Sequence, residues 1–241
     1  MFTKIVAPPP HLCVQKGAQQ LHLIRSRPAH AAQLLEGLHA SLPELRAFMP
    51  WAHFENTLET QRARLGELEA KWDARGEFVW NLFLTESSDE RAFVGCIGMH
   101  LNGLAESTVE LGYWVRSEVA GQGVCTLATR AILYVAFEHQ GLRRVMVTCD
   151  TNNEGSRRVI EKVGFPFEAR LRNGGYFDAP AAAIEAGWRV EGDLFLYAMT
   201  PEDYHTQPWI PALRAAISFS DAQTYDEVLF RCPCARSACS A

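Results

Sequence analysis

The chain has 241 residues, 48% of them hydrophobic and 21% charged, an ordinary globular composition that excludes wholesale disorder. A net charge of -5 argues against a general binder of nucleic acid or anionic membrane. The longest apolar run, residues 131–137 (AILYVAF), falls far short of the roughly 20 residues of a membrane span, and the first ten residues break into three prolines rather than a secretory leader. The expectation is a soluble, cytoplasmic protein.

Alternation of apolar and polar residues in HLCVQ and QLHLIRS predicts a strand pair over 11–26. Pro28 then opens a helix to about Ser41, with Leu34, Leu35 and Leu38 on its buried stripe. Breaks at Pro43 and Pro50 precede Trp51. The charged segment 55–75 predicts a long helix with Leu58, Leu65, Leu68 and Trp72 on one face, stopped by Gly76. Three β-rich segments, 77–85, 93–101 and 107–115, form an expected antiparallel meander. A glycine turn at 120–123 leads into an apolar helix. A strand at 143–150, a helix ending at Gly164, and strands at 165–171 and 193–199 complete the pattern. The strand–helix–strand–helix order over 107–165 requires at least one parallel crossover in a mixed sheet. One domain is expected over residues 1–204, with an insertion at about 173–191. Beyond it, 205–241 reads as an extension, partly disordered or docked on the body, in which Trp209, Leu213 and Ile217 make one amphipathic turn. The seven cysteines are odd in number and scattered, which suits reduced thiols. The tail spacing of Cys232, Cys234 and Cys239 lacks a fourth ligand nearby, so no metal is expected.

The chemistry concentrates where strand 107–116 turns into the helix near Gln122. A helix N-terminus offers unpaired N–H groups and partial positive charge, which suit phosphate. Gly121 and Gly123 remove side chains that would block close approach. Taken alone, this is a tight strand-to-helix turn as readily as a ligand site, and it matches neither G-x-G-x-x-G nor a Walker loop. Further on, Asn153, Ser156, Glu161, Lys162, Gly164 and Phe165 spell N-x-x-S-x-x-x-x-E-K-x-G-F. Together with ELGYWV at 110–115 and the G-x-G turn, this pair of motifs resembles the GNAT acetyltransferase superfamily, most closely the ribosomal-protein N-terminal acetyltransferase (RimJ/RimL) group. The resemblance runs over about 20–204 and is strongest over 109–170. In the superfamily's Q/R-x-x-G-x-G/A run, this chain has Ala120 first and Cys125 last.

The resemblance implies an α/β (α+β) GNAT fold: a mixed, mostly antiparallel sheet with two splayed parallel strands, flanked by helices. It implies acetyl-CoA as donor, lying between strands near 109–116 and 143–149. Main-chain groups of Trp114, Val115 and Arg116 would pair with its pantetheine. The N–H groups of Gly121, Gln122, Gly123, Val124, Cys125 and Thr126 would hold its pyrophosphate, and Asn153 would reach the pantetheine arm. Ser156 takes the position of a general acid beside the CoA sulfur, although a first-turn serine also makes helix-end hydrogen bonds. Glu110, on one strand face with Gly112 and Trp114, and His100, a residue type that titrates near neutrality, are the candidate bases. A structural ion pair or strand-end charge explains Glu110 as well, and a half-exposed, non-catalytic histidine is the favoured reading of His100. Asp178 and Glu185 of the insertion, and the Met49-Pro50-Trp51 segment, are candidates for bordering the acceptor. Cys125 and Cys149 are not read as nucleophiles, because direct transfer to an amine needs none. The expected acceptor is a protein N-terminal α-amine. The alternatives are a small-molecule amine (antibiotic, polyamine or amino acid), a non-catalytic CoA-binding sensor or interaction module, and a nucleotide-dependent enzyme. No direct nucleic-acid or membrane partner is expected, and the protein is read as a monomer or homodimer.

Overall fold

The computed structural model describes residues 5–85, 91–101, 107–174, 181–185, 187 and 192–220. Its strands, numbered in chain order, are β1 (His11–Lys16), β2 (Gln19–Arg25), β3 (Glu77–Thr85), β4 (Arg91–His100), β5 (Thr108–Val115), β6 (Arg144–Asp150), β7 (Phe167–Leu171), β8 (Leu194–Met199) and β9 (Ile217–Ser220). They form one sheet in the order β7-β8-β6-β5-β4-β3-β2-β1-β9. Every neighbouring pair is antiparallel except β5 and β6, which are parallel.

The helices are α1 (Ala31–His39), α2 (Leu42–Phe48), α3 (Leu58–Asp73), α4 (Val124–Tyr134), α5 (Glu154–Val163), α6 (Ala181–Glu185), α7 (Pro201–His205) and α8 (Ile210–Ala216). Sheet alternation divides the core between two faces. On one, Leu82, Ile97 and Leu111 pack with Ala128 and Ile132 of α4 and Ile160 of α5. On the other, Ile24, Phe83 and Phe93 pack against Ala31 and Leu34 of α1 and Leu65 of α3. Leu38, Leu45 and Ala52 continue this second layer beneath α2 and the short turn Pro50–His53.

Local chemistry sets the element ends. Thr57 and Thr60 form a reciprocal capping box at the start of α3. Asn153 caps α5 by accepting a hydrogen bond from the Ser156 N–H at 3.0 Å. The α3 stripe differs from the expected one: Leu58, the helix's first residue, is exposed, and Gln61 joins Leu65 and Trp72 in burial. Helix α2 lies where two prolines suggested a break, because Pro43 falls in the first turn, where its missing N–H costs nothing.

Beyond Tyr204 the described chain packs on the body. Trp209, Ile210 and Leu213 are buried, the Trp209 indole donates to the Val163 carbonyl at 2.9 Å, and β9 pairs with β1. The three tail cysteines and Asp178 lie outside the described residues. Of the expected insertion, α6 rests against the Pro50–His53 turn. Among the described residues, no helix is long and apolar enough to cross a membrane.

Candidate active site

Strands β5 and β6 pair only at Thr108–Arg144, Val109–Val145 and Glu110–Met146, although β5 runs on to Val115 and β6 to Asp150. Past Glu110 each keeps its outer partner, β4 or β8, so the two inner edges part. Hydrogen-bond alternation fixes which groups face the opening. Arg116 donates its N–H to Val94 O at 2.9 Å, and the Ser107 carbonyl accepts from Arg143 and Arg144. Even-numbered positions of β5 therefore address β4, and the main-chain groups of Leu111, Tyr113 and Val115 address the gap. On β6, Thr151 donates to Asp193 O at 3.1 Å, which leaves Thr148 turned toward the same gap. Of the three residues expected to offer main-chain contacts there, Val115 stands on the gap side. Trp114 presents its groups to β4, and Arg116 gives its N–H to β4 and its carbonyl to the Val119 N–H.

The α4 N-terminus stands at the end of β5. Its cap, Gly123, has φ 82 and no side chain to close the helix end, so the N–H groups of Val124, Cys125 and Thr126 find no acceptor in their own helix. Gly121 has φ 78, and no heavy atom lies within 4 Å of the Cβ that either glycine lacks. Both positions need glycine for conformation, and both leave open space above the turn. Gln122 departs from the expected set: its N–H closes a turn on Val119 O at 3.3 Å, and its side chain donates to Glu118 O at 2.9 Å.

A cavity of about 510 Å³ passes through the gap and over the α1–α3 face of the sheet. Its floor is a three-by-three grid fixed by strand register. Glu77, His100 and Glu110 lie side by side across β3, β4 and β5. Val79, Gly98 and Gly112 form the next row, and Asn81, Cys96 and Trp114 the third. The two glycines are bare for a reason: a Cβ on Gly98 would lie 2.9 Å from His100 Nε2, and one on Gly112 3.1 Å. The imidazole occupies the space that side chains would take.

His100 Nδ1 meets Glu77 Oε1 at 2.8 Å, and Lys71 Nζ of α3 holds Glu77 Oε2 at 2.8 Å. Burial opposes the Glu77 charge, but the hydrogen bonds from His100 and Lys71 outweigh it and hold the carboxyl down at about 2. Glu110 Oε1 accepts from the Thr148 hydroxyl at 2.6 Å. At the α5 end of the cavity the Ser156 hydroxyl lies 3.0 Å from the Tyr113 hydroxyl. Burial pushes the Tyr113 phenol well above its ordinary range, so it keeps its proton. The far wall comes from Phe48, Met49, Pro50 and Trp51, with the Trp51 ring 6.2 Å from Trp114 and the Arg64 guanidinium 5.1 Å from Trp51.

Ser156, Glu110, His100, Asn153 and the Met49–Trp51 segment, all singled out from sequence, line one cavity with Trp114. Asn153 commits its carbonyl to capping, and Glu185 is exposed on α6. Three thiols near the cavity keep their protons at neutral pH: burial pushes Cys96 and Cys125 up to about 12, and burial with the neighbouring Asp150 takes Cys149 to about 11. Sequence reasoning missed Glu77, Lys71 and Tyr113. Glu77 and Tyr113 were readable only from strand parity combined with register, and Lys71, on α3, only from how that helix packs on the sheet.

Residues 20–166, more than half of the chain, match the model of the acetyltransferase (GNAT) domain. The Bacillus subtilis protein YdaF, provisionally named a ribosomal N-acetyltransferase, is 38% identical over 82 residues, 34% of this chain. That match spans only 45% of YdaF's own length. YjcK of Bacillus subtilis, provisionally named an N-acetyltransferase, is 31% identical over 135 residues, 53% of this chain and 72% of that one. Among solved structures, Mycobacterium smegmatis RimJ in complex with a CoA disulfide superposes with a TM-score of 0.69 at 22% identity, covering 89% of this chain and 100% of RimJ.

Proposed function

The chain belongs to the GNAT family of N-acetyltransferases, whose acetyl donor is acetyl-CoA, and on that premise we propose that it moves the acetyl group directly to a primary amine, the N-terminal α-amine of a protein. The observation that carries the reading is the β5–β6 opening. Two strand edges with unspent main-chain groups lead to an uncapped helix N-terminus, and a hydroxyl pair stands at the base of the gap.

These features fit the donor. The pantetheine adds to the free edges of Leu111, Tyr113, Val115 and Thr148 as a strand would, and the α4 N–H groups meet the pyrophosphate. The reaction asks for a neutral amine, charge stabilisation at the thioester oxygen, and a proton for the departing thiolate. The Val115 N–H, on the gap side, serves the oxygen. Ser156 supplies the proton, with its hydroxyl oriented by Tyr113 and its N–H already engaged by Asn153. The row Glu77–His100–Glu110 draws a cationic amine onto the floor and contains the proton acceptor. The aromatic wall around Trp51 and Trp114 receives whatever carries that amine. The provisional name of YdaF supports a ribosomal protein as acceptor.

Incubation of the protein with acetyl-CoA against libraries of N-terminal peptides and small amines, read by thiol release and mass shift of the acceptor, tests this. Acetylated peptide α-amines are expected. Turnover confined to small amines would move the acceptor class, and acetyl-CoA binding without turnover on any amine would overturn the enzymatic reading.

A further inference from the structure

Resting on that reading, we infer that His100 is the residue that takes the proton from the acceptor amine and that Glu77, anchored by Lys71, is the positioning residue that aims it. Glu77 and His100 are directly opposed across β3 and β4, and the carboxylate uses its two oxygens for two different partners: Oε1 for His100 Nδ1 and Oε2 for Lys71, each at 2.8 Å. A carboxylate on Nδ1 fixes the ring orientation and places the basic lone pair on Nε2. Nε2 is also the ring atom lying over Gly98 and Gly112, the only row of the floor without side chains on two adjacent strands. Three residue choices therefore converge on one atom: the carboxylate orients it, and the two glycines make room for it. The His100 side chain remains 43% accessible, whereas Glu77 behind it is 16% accessible. Glu110, the other carboxylate of the row, sits where β5 and β6 are still paired and is engaged by the Thr148 hydroxyl. It contributes charge to the floor, facing His100 from β5, as Glu77 does from β3 and Lys71 does through Glu77.

The proton balance is complete. An ammonium acceptor loses two protons on becoming an amide. The first passes to His100 Nε2 and on to solvent. The freed nitrogen lone pair forms the C–N bond, and the C–S pair leaves with sulfur, which takes a proton from the Ser156 hydroxyl. The second nitrogen proton, released to solvent, replaces the one Ser156 gave.

The test combines kinetics with nitrogen NMR of the His100 ring in the full-length protein. Glu77→Gln is expected to lower kcat/KM for the acceptor about tenfold and to move its acidic limb toward lower pH, with acetyl-CoA affinity unchanged. Glu77→Asp restores the limb. Lys71→Met, which removes a cation from the far side of the carboxylate, moves the limb the opposite way by a smaller amount. His100→Gln costs about a hundredfold and flattens the limb. NMR of the wild type above the limb finds the proton on Nδ1 and Nε2 bare. Any of three results overturns the inference: the reverse tautomer, a wild-type rate and limb in Glu77→Gln, or a limb that survives in His100→Gln and disappears in Glu110→Gln. If the protein binds acetyl-CoA but turns over no acceptor, the proposed function fails. The tautomer, and the shift of the NMR-observed His100 titration in Glu77→Gln and Lys71→Met, then decide the pairing on their own.

Discussion

The two sides of the β5–β6 opening are made of different material. On the side proposed for the donor the available groups are main-chain ones: the edges of Leu111, Tyr113, Val115 and Thr148, and the first N–H groups of α4 behind glycines at φ 78 and 82. On the side proposed for the acceptor the surface is side chains, drawn from β3, β4 and β5, from α1 and α3, and from the Pro50–His53 turn. A site built from main chain constrains sequence only where the backbone needs a special conformation or a cap. A site built from side chains can be rewritten residue by residue while the strands beneath stay in register. The donor side should therefore resist side-chain truncation and fail when its backbone is disturbed, and the acceptor side should behave the other way round.

The largest expected effect lies on the donor side. Gly123→Asp forces an L side chain into the left-handed region, which costs about 1–2 kcal/mol, and sets a negative charge where the pyrophosphate should sit. Affinity for acetyl-CoA should fall about a thousandfold by calorimetry, with Gly123→Ala losing far less. Unchanged affinity in the aspartate variant would place the phosphates elsewhere and dissolve the contrast.

Next comes the charged row. Glu77 ionises at about 2 in the fold, below the ordinary carboxylate value of 4.5 that it regains on unfolding. A depressed folded value means the stabilisation is complete above pH 4.5 and disappears as pH falls through 2. It amounts to about 3 kcal/mol at neutral pH. Urea unfolding of wild type and Glu77→Gln should differ by that amount at pH 7 and converge toward pH 2. A gap that persists at pH 2 would mean that packing, not charge, holds Glu77.

Ser156→Ala removes a hydroxyl and leaves the N–H that Asn153 caps, so α5 and the donor edge stay intact. kcat should drop about a hundredfold with acetyl-CoA affinity unchanged, because only the proton supply is lost. An unaltered kcat would remove Ser156 from the chemistry.

The same contrast explains what the sequence revealed. Period-two and helical patterning located the sheet strands β1 to β8 and the helices α1, α3, α4 and α5, because each buries one face against a core. On the side proposed for the donor, Gly121 and Gly123 stand where the backbone needs glycine and Asn153 where α5 takes a cap, so local geometry marks these three in the sequence, whereas Ser156 is marked by the motif alone. The main-chain parity of β5 was not legible: Trp114 pairs with Cys96 of β4, and Arg116 gives its N–H to Val94 of β4 and its C=O to the Val119 N–H, so neither faces the gap to which it was assigned. The floor grid was not legible either. Whether Glu77 meets His100 depends on the register of β3 against β4, and that register shifts at a bulge between Leu82 and Phe83. Helix α2 was hidden because Pro43 reads as a breaker in isolation and as a first-turn residue in context. Strand β9 forms only because the buried Trp209 and Leu213 carry the chain back to β1, a tertiary cause without local pattern.

The smallest expected effect belongs to the acceptor wall. Trp51 sits on a short turn after Pro50, with its ring 6.2 Å from Trp114 and beneath the Arg64 guanidinium at 5.1 Å. Its contact with β5 is through the Trp114 ring rather than the main-chain edge, so Trp51→Ala should leave acetyl-CoA affinity and folding nearly intact. The acceptor loses one aromatic surface, and an aromatic contact of this kind is worth about 0.5–1.5 kcal/mol beyond its buried area. KM for the peptide should rise about tenfold, with kcat within about twofold of wild type and Trp51→Phe intermediate. A fall in kcat without change in KM would mean that the turn aligns the reacting groups rather than gripping the acceptor. The acceptor side would then share the donor side's dependence on backbone placement, and the division between the two would narrow to the floor grid alone.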